Sequence, residues 1–116
     1  MVNIGIELRM TVIIVEPNKE PHTERIWNDL GTLRKRIGNS NIEVIEYDDK
    51  TLIIYDSEAL ANNLPINRYL NGLAIRGTFI IAGNNLKELD FTSLTDEQIE
   101  EYTEILLLNR EEGLEL

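Results

Sequence analysis

Four groups of side chains in this sequence are of types that do chemistry. Asn67 and Arg68 stand together between the apolar anchors Leu64 and Leu70. A guanidinium fork there would grip a carboxylate or phosphate, with Lys19 as a second cation. It would equally pin the loop to backbone carbonyls or to an acid of the C-terminal helix. Glu46, Asp48 and Asp49, with Asp56 across a hairpin, are hard oxygen donors of the kind that hold a divalent cation, and a metal-dependent hydrolase would be built on Glu46, Asp48 and Asp56. The sole histidine, His22, has Glu20 and Glu24 beside it. As a general base it would need an orienting partner and a nucleophile, and none of Ser40, Ser57 and Ser93 lies in a nucleophile-elbow context. Finally, Glu97, Glu100, Glu101 and Glu104 fall at i, i+3, i+4 and i+7, one face of a helix, and Glu111 and Glu112 extend the acidity.

Weighing these groups leaves no catalytic residue, no metal ligand and no cofactor site assigned. Acids at a hairpin tip are ordinarily solvated turn residues. Gly72, Gly77 and Gly83 are too widely spaced for a phosphate loop. The absence of cysteine excludes disulfides, thiolate metal sites and cysteine nucleophiles. Charge is the stronger signal. Residues 84–116 carry ten acids against Lys87 and Arg110, a net of −8, out of −10 for the whole chain. Such a field repels nucleic acid and attracts basic partners. The run Arg34-Lys35-Arg36 reads as cations in the last turn of a helix, complementing its dipole, and not as a nucleic-acid patch.

The elements that must position these groups follow from apolar patterning. At 116 residues with 42% apolar and 28% charged residues, the chain is one globular domain. Thr11–Glu16 is a β-branched run apolar on both faces, hence an inner strand covered on each side. Pro17–Pro21 is a turn, and Pro21 suits the first turn of a helix in which Ile26, Leu30, Leu33 and Ile37 form one stripe, stopped by Gly38. Ile42–Tyr47 and Thr51–Tyr55 form a hairpin around Asp48-Asp49-Lys50. Ser57–Asn63 reads as a broken helical turn, and Leu64–Leu70 as irregular or a single helical turn. Leu73–Ile75 and Thr78–Ile81 are strands, the second stopping at Gly83–Asn85 with a bulge or tight connection. Thr95 with Gln98 forms a capping box for a final helix whose buried face is Ile99, Tyr102, Ile105 and Leu106. The tail, 107–116, is expected to fray. The fold class is therefore α+β: an antiparallel-rich sheet of four to five strands with two helices, in the order β-α-β-β-β(-β)-α.

Four segments, in order, resemble one family. They are Val15-Glu16-Pro17-Asn18-Lys19-Glu20-Pro21, Leu64-Pro65-Ile66-Asn67-Arg68, Gly77-Thr78-Phe79-Ile80-Ile81-Ala82-Gly83 and Phe91-Thr92-Ser93-Leu94-Thr95-Asp96. Together they are similar to the domain of unknown function 3846, small proteins of Gram-positive phages and conjugative elements. The insert such proteins carry after the Asn-Arg pair is here only Tyr69-Leu70-Asn71-Gly72, and they begin near Met10, which makes residues 1–9 an N-terminal extension. The resemblance implies a mobile-element protein in a bacterial cytoplasm, and no catalytic residue.

The resulting expectation is a non-enzymatic interaction protein. Its acidic face (Glu97, Glu100, Glu101, Glu104, Glu111, Glu112) would block a basic site on a host nucleic-acid-handling or defence complex, as an anti-restriction or anti-CRISPR inhibitor does. No direct nucleic-acid or membrane binding is expected, and self-association stays open. The alternative is a nucleotide- or anion-binding protein using Lys19, Asn67 and Arg68. A metal-dependent hydrolase is the third reading.

Overall fold

The structure, a computed structural model, describes residues 8–85, 87 and 90–115, with side chains through residue 108. In chain order the elements are β1 (Arg9–Val15), β2 (His22–Trp27), α1 (Leu30–Ile37), β3 (Ile42–Asp48), β4 (Thr51–Asp56), β5 (Ile66–Leu70), β6 (Leu73–Arg76), β7 (Phe79–Asn85), β8 (Asp90–Thr92) and α2 (Asp96–Glu115). The class is α+β. Six strands form one antiparallel sheet in the order β2-β1-β7-β4-β3, with β8 paired to β7, while β5 and β6 form a separate hairpin.

β1 explains the layering. Val12 and Ile14 point to one face and Ile13 and Val15 to the other, and all four are buried. On the first face Met10, Val12, Ile14, Ile26, Ile54, Ile80 and Ala82 pack under Leu33 and Ile37 of α1. On the second, Ile13, Val15, Ile53, Phe79 and Ile81 pack under Leu70 and Ile75 of the hairpin and Tyr102 and Leu106 of α2. Each helix thus covers its own side of the sheet.

Three local expectations are corrected. The helix expected from Pro21 to Ile37 is confined to Leu30–Ile37, and His22–Trp27 is a strand. The turn after Pro17, with Asn18 at φ 62°, sends the chain back along β1 in a register from Ile14↔His22 to Arg9↔Trp27. That pairing satisfies the β1 edge, which a helix there would leave open. Asp29 starts the helix instead, its Oδ1 accepting from the Thr32 N–H at 2.7 Å. Gly38 closes it at φ 94°, with its N–H and that of Asn39 both donating to Arg34 O.

The second correction concerns Leu64–Leu70, whose last five residues are strand β5 and not irregular or helical. Asn71 and Gly72 both have positive φ, 51° and 78°, the geometry of the tight turn whose twist matches paired strands. The third concerns Gly83. The strand does not stop there, because β8 pairs with residues 83–85 along the β7 edge that β1 leaves free. A Cβ on Gly83 would lie 2.6 Å from Ser93 O, so only glycine admits this approach.

The capping box at α2 forms in both directions: Gln98 N–H donates to Thr95 Oγ1 at 3.1 Å and Thr95 N–H to Gln98 Oε1 at 2.9 Å. α2 remains helical to Glu115, through the span where fraying is expected from sequence. Of the expected N-terminal extension, Arg9 belongs to β1 and lies over the Trp27 ring, 4.3 Å from its centroid, while residues 1–7 lie outside the described residues.

Candidate functional site

Asn67 and Arg68 sit at the junction of β5, α2 and the turn after β1. The irregularity in the β5–β6 register between Ile66 and Arg68 turns both side chains inward. Arg68 is 1% exposed. Its Nε donates to Leu106 O at 2.9 Å, Nη1 to Asn67 O at 3.0 Å and Asn67 Oδ1 at 2.7 Å, and Nη2 to Lys19 O at 3.0 Å. Asn67 Nδ2 donates in turn to Val15 O at 3.0 Å and Gly77 O at 2.8 Å. Together the two side chains tie β1, its following turn, the link between β6 and β7, and α2 to one point.

This geometry bears on the anion pocket expected from Lys19, Asn67 and Arg68. The fork is directed at the protein's own carbonyls, which are partial negative charges fixed in space. Lys19 supplies its carbonyl, while its side chain is two-thirds exposed and lies 3.8 Å from Glu16. A cleft of about 450 Å³ opens elsewhere. It is bordered by Ile45 and Tyr55 of the sheet, the turn through Ala59 and Leu60, and Leu73–Arg76 of β6. Its lining is mostly apolar and includes none of the three residues.

The acids of the β3–β4 hairpin do not converge. In the ladder Asp48 pairs with Thr51 at the tip and Asp56 pairs with Ile42 at the far end. Thr51 and Asp56 are separated by about 16 Å of extended strand. Tyr47 is an extra residue between the Glu46↔Leu52 and Asp48↔Thr51 pairs, so Glu46 and Asp48 do not share a face as simple alternation predicts. Asp48 instead accepts from the Tyr102 hydroxyl at 2.6 Å and the Lys50 N–H at 2.8 Å. Burial opposes its ionisation, but these hydrogen bonds outweigh it and hold the carboxyl below its ordinary range. Desolvation and then the Asp48 hydrogen bond raise Tyr102. Asp56 is buried and accepts from Asn39 Nδ2 and the Glu58 N–H, both at 2.8 Å. Among the described residues no cluster of three or more acids or histidines is placed to hold a metal ion.

His22 opens β2, not a helix, and its Nε2 lies 2.8 Å from Glu24 Oε2. Glu24 also receives both terminal nitrogens of Arg36, from the last turn of α1. The Arg36 hydrogen bonds are the main reason its carboxyl falls to about 2. The trio clamps β2 to α1. Arg36 of the basic run is thereby engaged within the fold.

The acidic face of α2 is well defined. Glu97, Glu100, Glu101 and Glu104 lie on the side opposite the buried Tyr102 and Leu106. The side chains of Glu111 and Glu112 lie outside the described residues. The helix under these carboxylates is fixed at three levels. Gln98 Nε2 reaches Lys50 O and Thr51 Oγ1 at the hairpin tip, Tyr102 holds Asp48, and Leu106 O receives Arg68.

Residues around the cleft, notably Tyr55, Leu60 and Leu73, are not singled out by sequence, because each is a strand or turn position of ordinary type. Tyr55 donates to Glu43 Oε2 at 2.6 Å, and that bond is the largest reason its hydroxyl is pushed up to about 12. No helix among the described residues is long and apolar enough to cross a membrane.

Comparison with curated proteins and with solved structures yields no match. A family sequence model does match, over residues 10–107, a span that holds the buried Asn67–Arg68 junction and the capped start of α2. The chain belongs to the family described as domain of unknown function 3846, DUF3846.

Proposed function

We propose that this protein acts by docking, not catalysis, and that α2 presents its carboxylates to a basic surface on a partner protein. The observation that carries the reading is the placement of Glu97, Glu100, Glu101 and Glu104 on the outward face of a helix anchored at three levels. Acids on a mobile tail would screen themselves with counterions at little cost. Acids held on a fixed helix form a pre-organised anionic strip, and docking it releases counterions from both surfaces. From Glu97 to Glu104 the strip rises about 10 Å, the axial length of about three base-pair steps. The partner class we infer is a nucleic-acid-handling or defence nuclease of a bacterial host, whose phosphate-binding groove the strip would occupy. That inference draws on the resemblance to phage and conjugative-element proteins.

The test is inhibition of DNA cleavage by a panel of purified restriction and CRISPR effector nucleases. Inhibition at about 0.05 M salt should be lost near 0.5 M, and should be lost at low salt when the four glutamates become lysines. If the fourfold variant inhibits as well as the parent, the acidic strip is not the docking surface.

A further inference from the structure

Strand β3 ends the six-stranded sheet, and among the described residues it pairs only with β4. Which of its backbone groups are free follows from the ladder. The Ser57 N–H donates to Asn41 O at 3.1 Å, so the pair Asn41/Ser57 is a hydrogen-bonded one. Bonded and non-bonded pairs alternate in an antiparallel ladder. Glu43 and Ile45 therefore spend their backbone groups on β4, while the N–H and C=O of Ile42, Val44 and Glu46 point away from the sheet. This is a row of outward donors and acceptors of the kind that templates another strand.

Two further observations define what would pair there. The edge carries Glu43, Glu46, Asp48 and Asp49, and no lysine or arginine stands between Arg36 and Lys50. The apolar cleft of about 450 Å³ lies alongside, bounded by Ile45 and Tyr55 on the sheet and by Leu60, 74% exposed, and Leu73, 44% exposed. A second copy of this chain fits poorly, because pairing β3 with itself would bring both sets of acids along one shared edge. A strand whose side chains alternate basic and apolar fits well. Its apolar side chains would enter the cleft beside Ile45 and Tyr55, and the cations on its other face would meet Glu46.

We infer that β3 is a β-augmentation site for an extended, basic-and-apolar segment of a partner protein. Backbone hydrogen bonds to Ile42, Val44 and Glu46 would set its register. The cleft and the acidic edge would set its sequence. This surface is separate from the exposed face of α2 and does not depend on the function proposed for that face.

The test uses the full chain, isotope-labelled, and a synthetic peptide alternating lysine and valine, about as long as β3. Titration should shift the amide resonances of Ile42, Val44 and Glu46 first, and calorimetry gives the dissociation constant. N-methylation of alternate peptide amides should weaken binding about tenfold, and a glutamate-valine peptide should bind at least about tenfold more weakly. Val44→Pro removes an outward donor while sparing the bonds to β4, and should weaken binding about as much as N-methylation does. Glu46→Lys, which leaves the backbone intact, should weaken the basic peptide and not the acidic one. Changing the four α2 glutamates to glutamine should leave the constant unchanged. Three outcomes would overturn the inference: no binding at millimolar peptide, equal binding of the N-methylated or acidic peptide, or self-association that Val44→Pro abolishes.

Discussion

Replacing Arg68 by alanine should be among the most damaging single changes in this protein, although the residue lies in a short hairpin outside the main sheet. The side chain is 1% exposed and donates to Leu106 O, Asn67 O, Asn67 Oδ1 and Lys19 O. Truncation strands Asn67 O, Asn67 Oδ1 and Lys19 O, takes from Leu106 O the bond it accepts beside its own helical one, and leaves a cavity where water must compete with three separate segments. Each stranded buried acceptor costs about 1–3 kcal/mol, and partial entry of water brings the total to about 3–5 kcal/mol. A domain of this size holds about 6–17 kcal/mol in all. At about 4 °C per kcal/mol, the melting temperature should fall by about 12–20 °C, measurable by thermal denaturation without any ligand. Arg68→Lys should fall between, since one ammonium cannot span the directions a planar fork covers. Lys19→Ala, which removes only an exposed side chain and keeps the carbonyl, should cost under about 0.5 kcal/mol. A loss below about 3 °C for Arg68→Ala would refute the pinning role. It would return Arg68 to the status of a binding residue whose removal matters only when ligand is present.

The Glu24–Arg36 clamp is pH-dependent with a definite sign. The folded carboxyl lies near 2, below its ordinary 4.5, so its contribution is full above about pH 4.5 and is lost as pH falls through about 2. Arg36→Ala should remove about 1 kcal/mol, after discounting for solvent screening, from urea denaturation at neutral pH and only a small part of that near pH 2. Ultraviolet titration should place Tyr55 near 12, and Glu43→Gln should bring it toward the ordinary 10.0, because the hydrogen bond and charge that oppose phenolate formation are both weakened. Gly83→Ala places a methyl against backbone carbonyls at 2.6 and 2.9 Å that cannot move independently. It should cost at least about 2 kcal/mol in chemical denaturation and lower amide-exchange protection in β8.

How much of the fold can be read from the sequence depends on whether the signal is local. The capping box of α2 and the two-faced burial of β1 depend on residues within a few positions of each other, and both expectations hold in the structure. The stretch His22–Trp27 misleads because Ile26, Leu30, Leu33 and Ile37 satisfy helical spacing whichever element Ile26 occupies. The arbiter is the open edge of β1, a tertiary demand that periodicity does not record. From Ile66 onward the case differs. Asn71-Gly72, flanked by Leu70 and Leu73, is a strong local hairpin signal, and it outweighs the irregular pattern of Ile66-Asn67-Arg68. The inward aim of Arg68 is not local at all, since its acceptors at Lys19 and Leu106 come from opposite ends of the chain.

The charge pattern shows the same limit at larger scale. Counted along the chain, the negative field belongs to residues 84–116, and the acids of Ile42–Asp49 look like an unrelated hairpin. The fold joins them. Tyr102 holds Asp48, Gln98 holds Lys50 O and Thr51 Oγ1, and Asn84 Nδ2 lies 3.5 Å from Glu46 Oε2. The start of α2 and the tip of the edge strand are therefore two acidic surfaces held at a set spacing by these bonds, while the cations of α1 lie across the sheet from α2. Tyr102→Phe tests whether that spacing matters. It removes one donor from Asp48, costs about 1–2 kcal/mol, and leaves every surface carboxylate in place. If a partner engages α2 and β3 together, its affinity should fall more than stability alone explains, because the two surfaces lose their fixed spacing. Equal affinity for the parent and the Tyr102→Phe protein, measured by calorimetry well below the melting temperature, would mean that the two surfaces act separately.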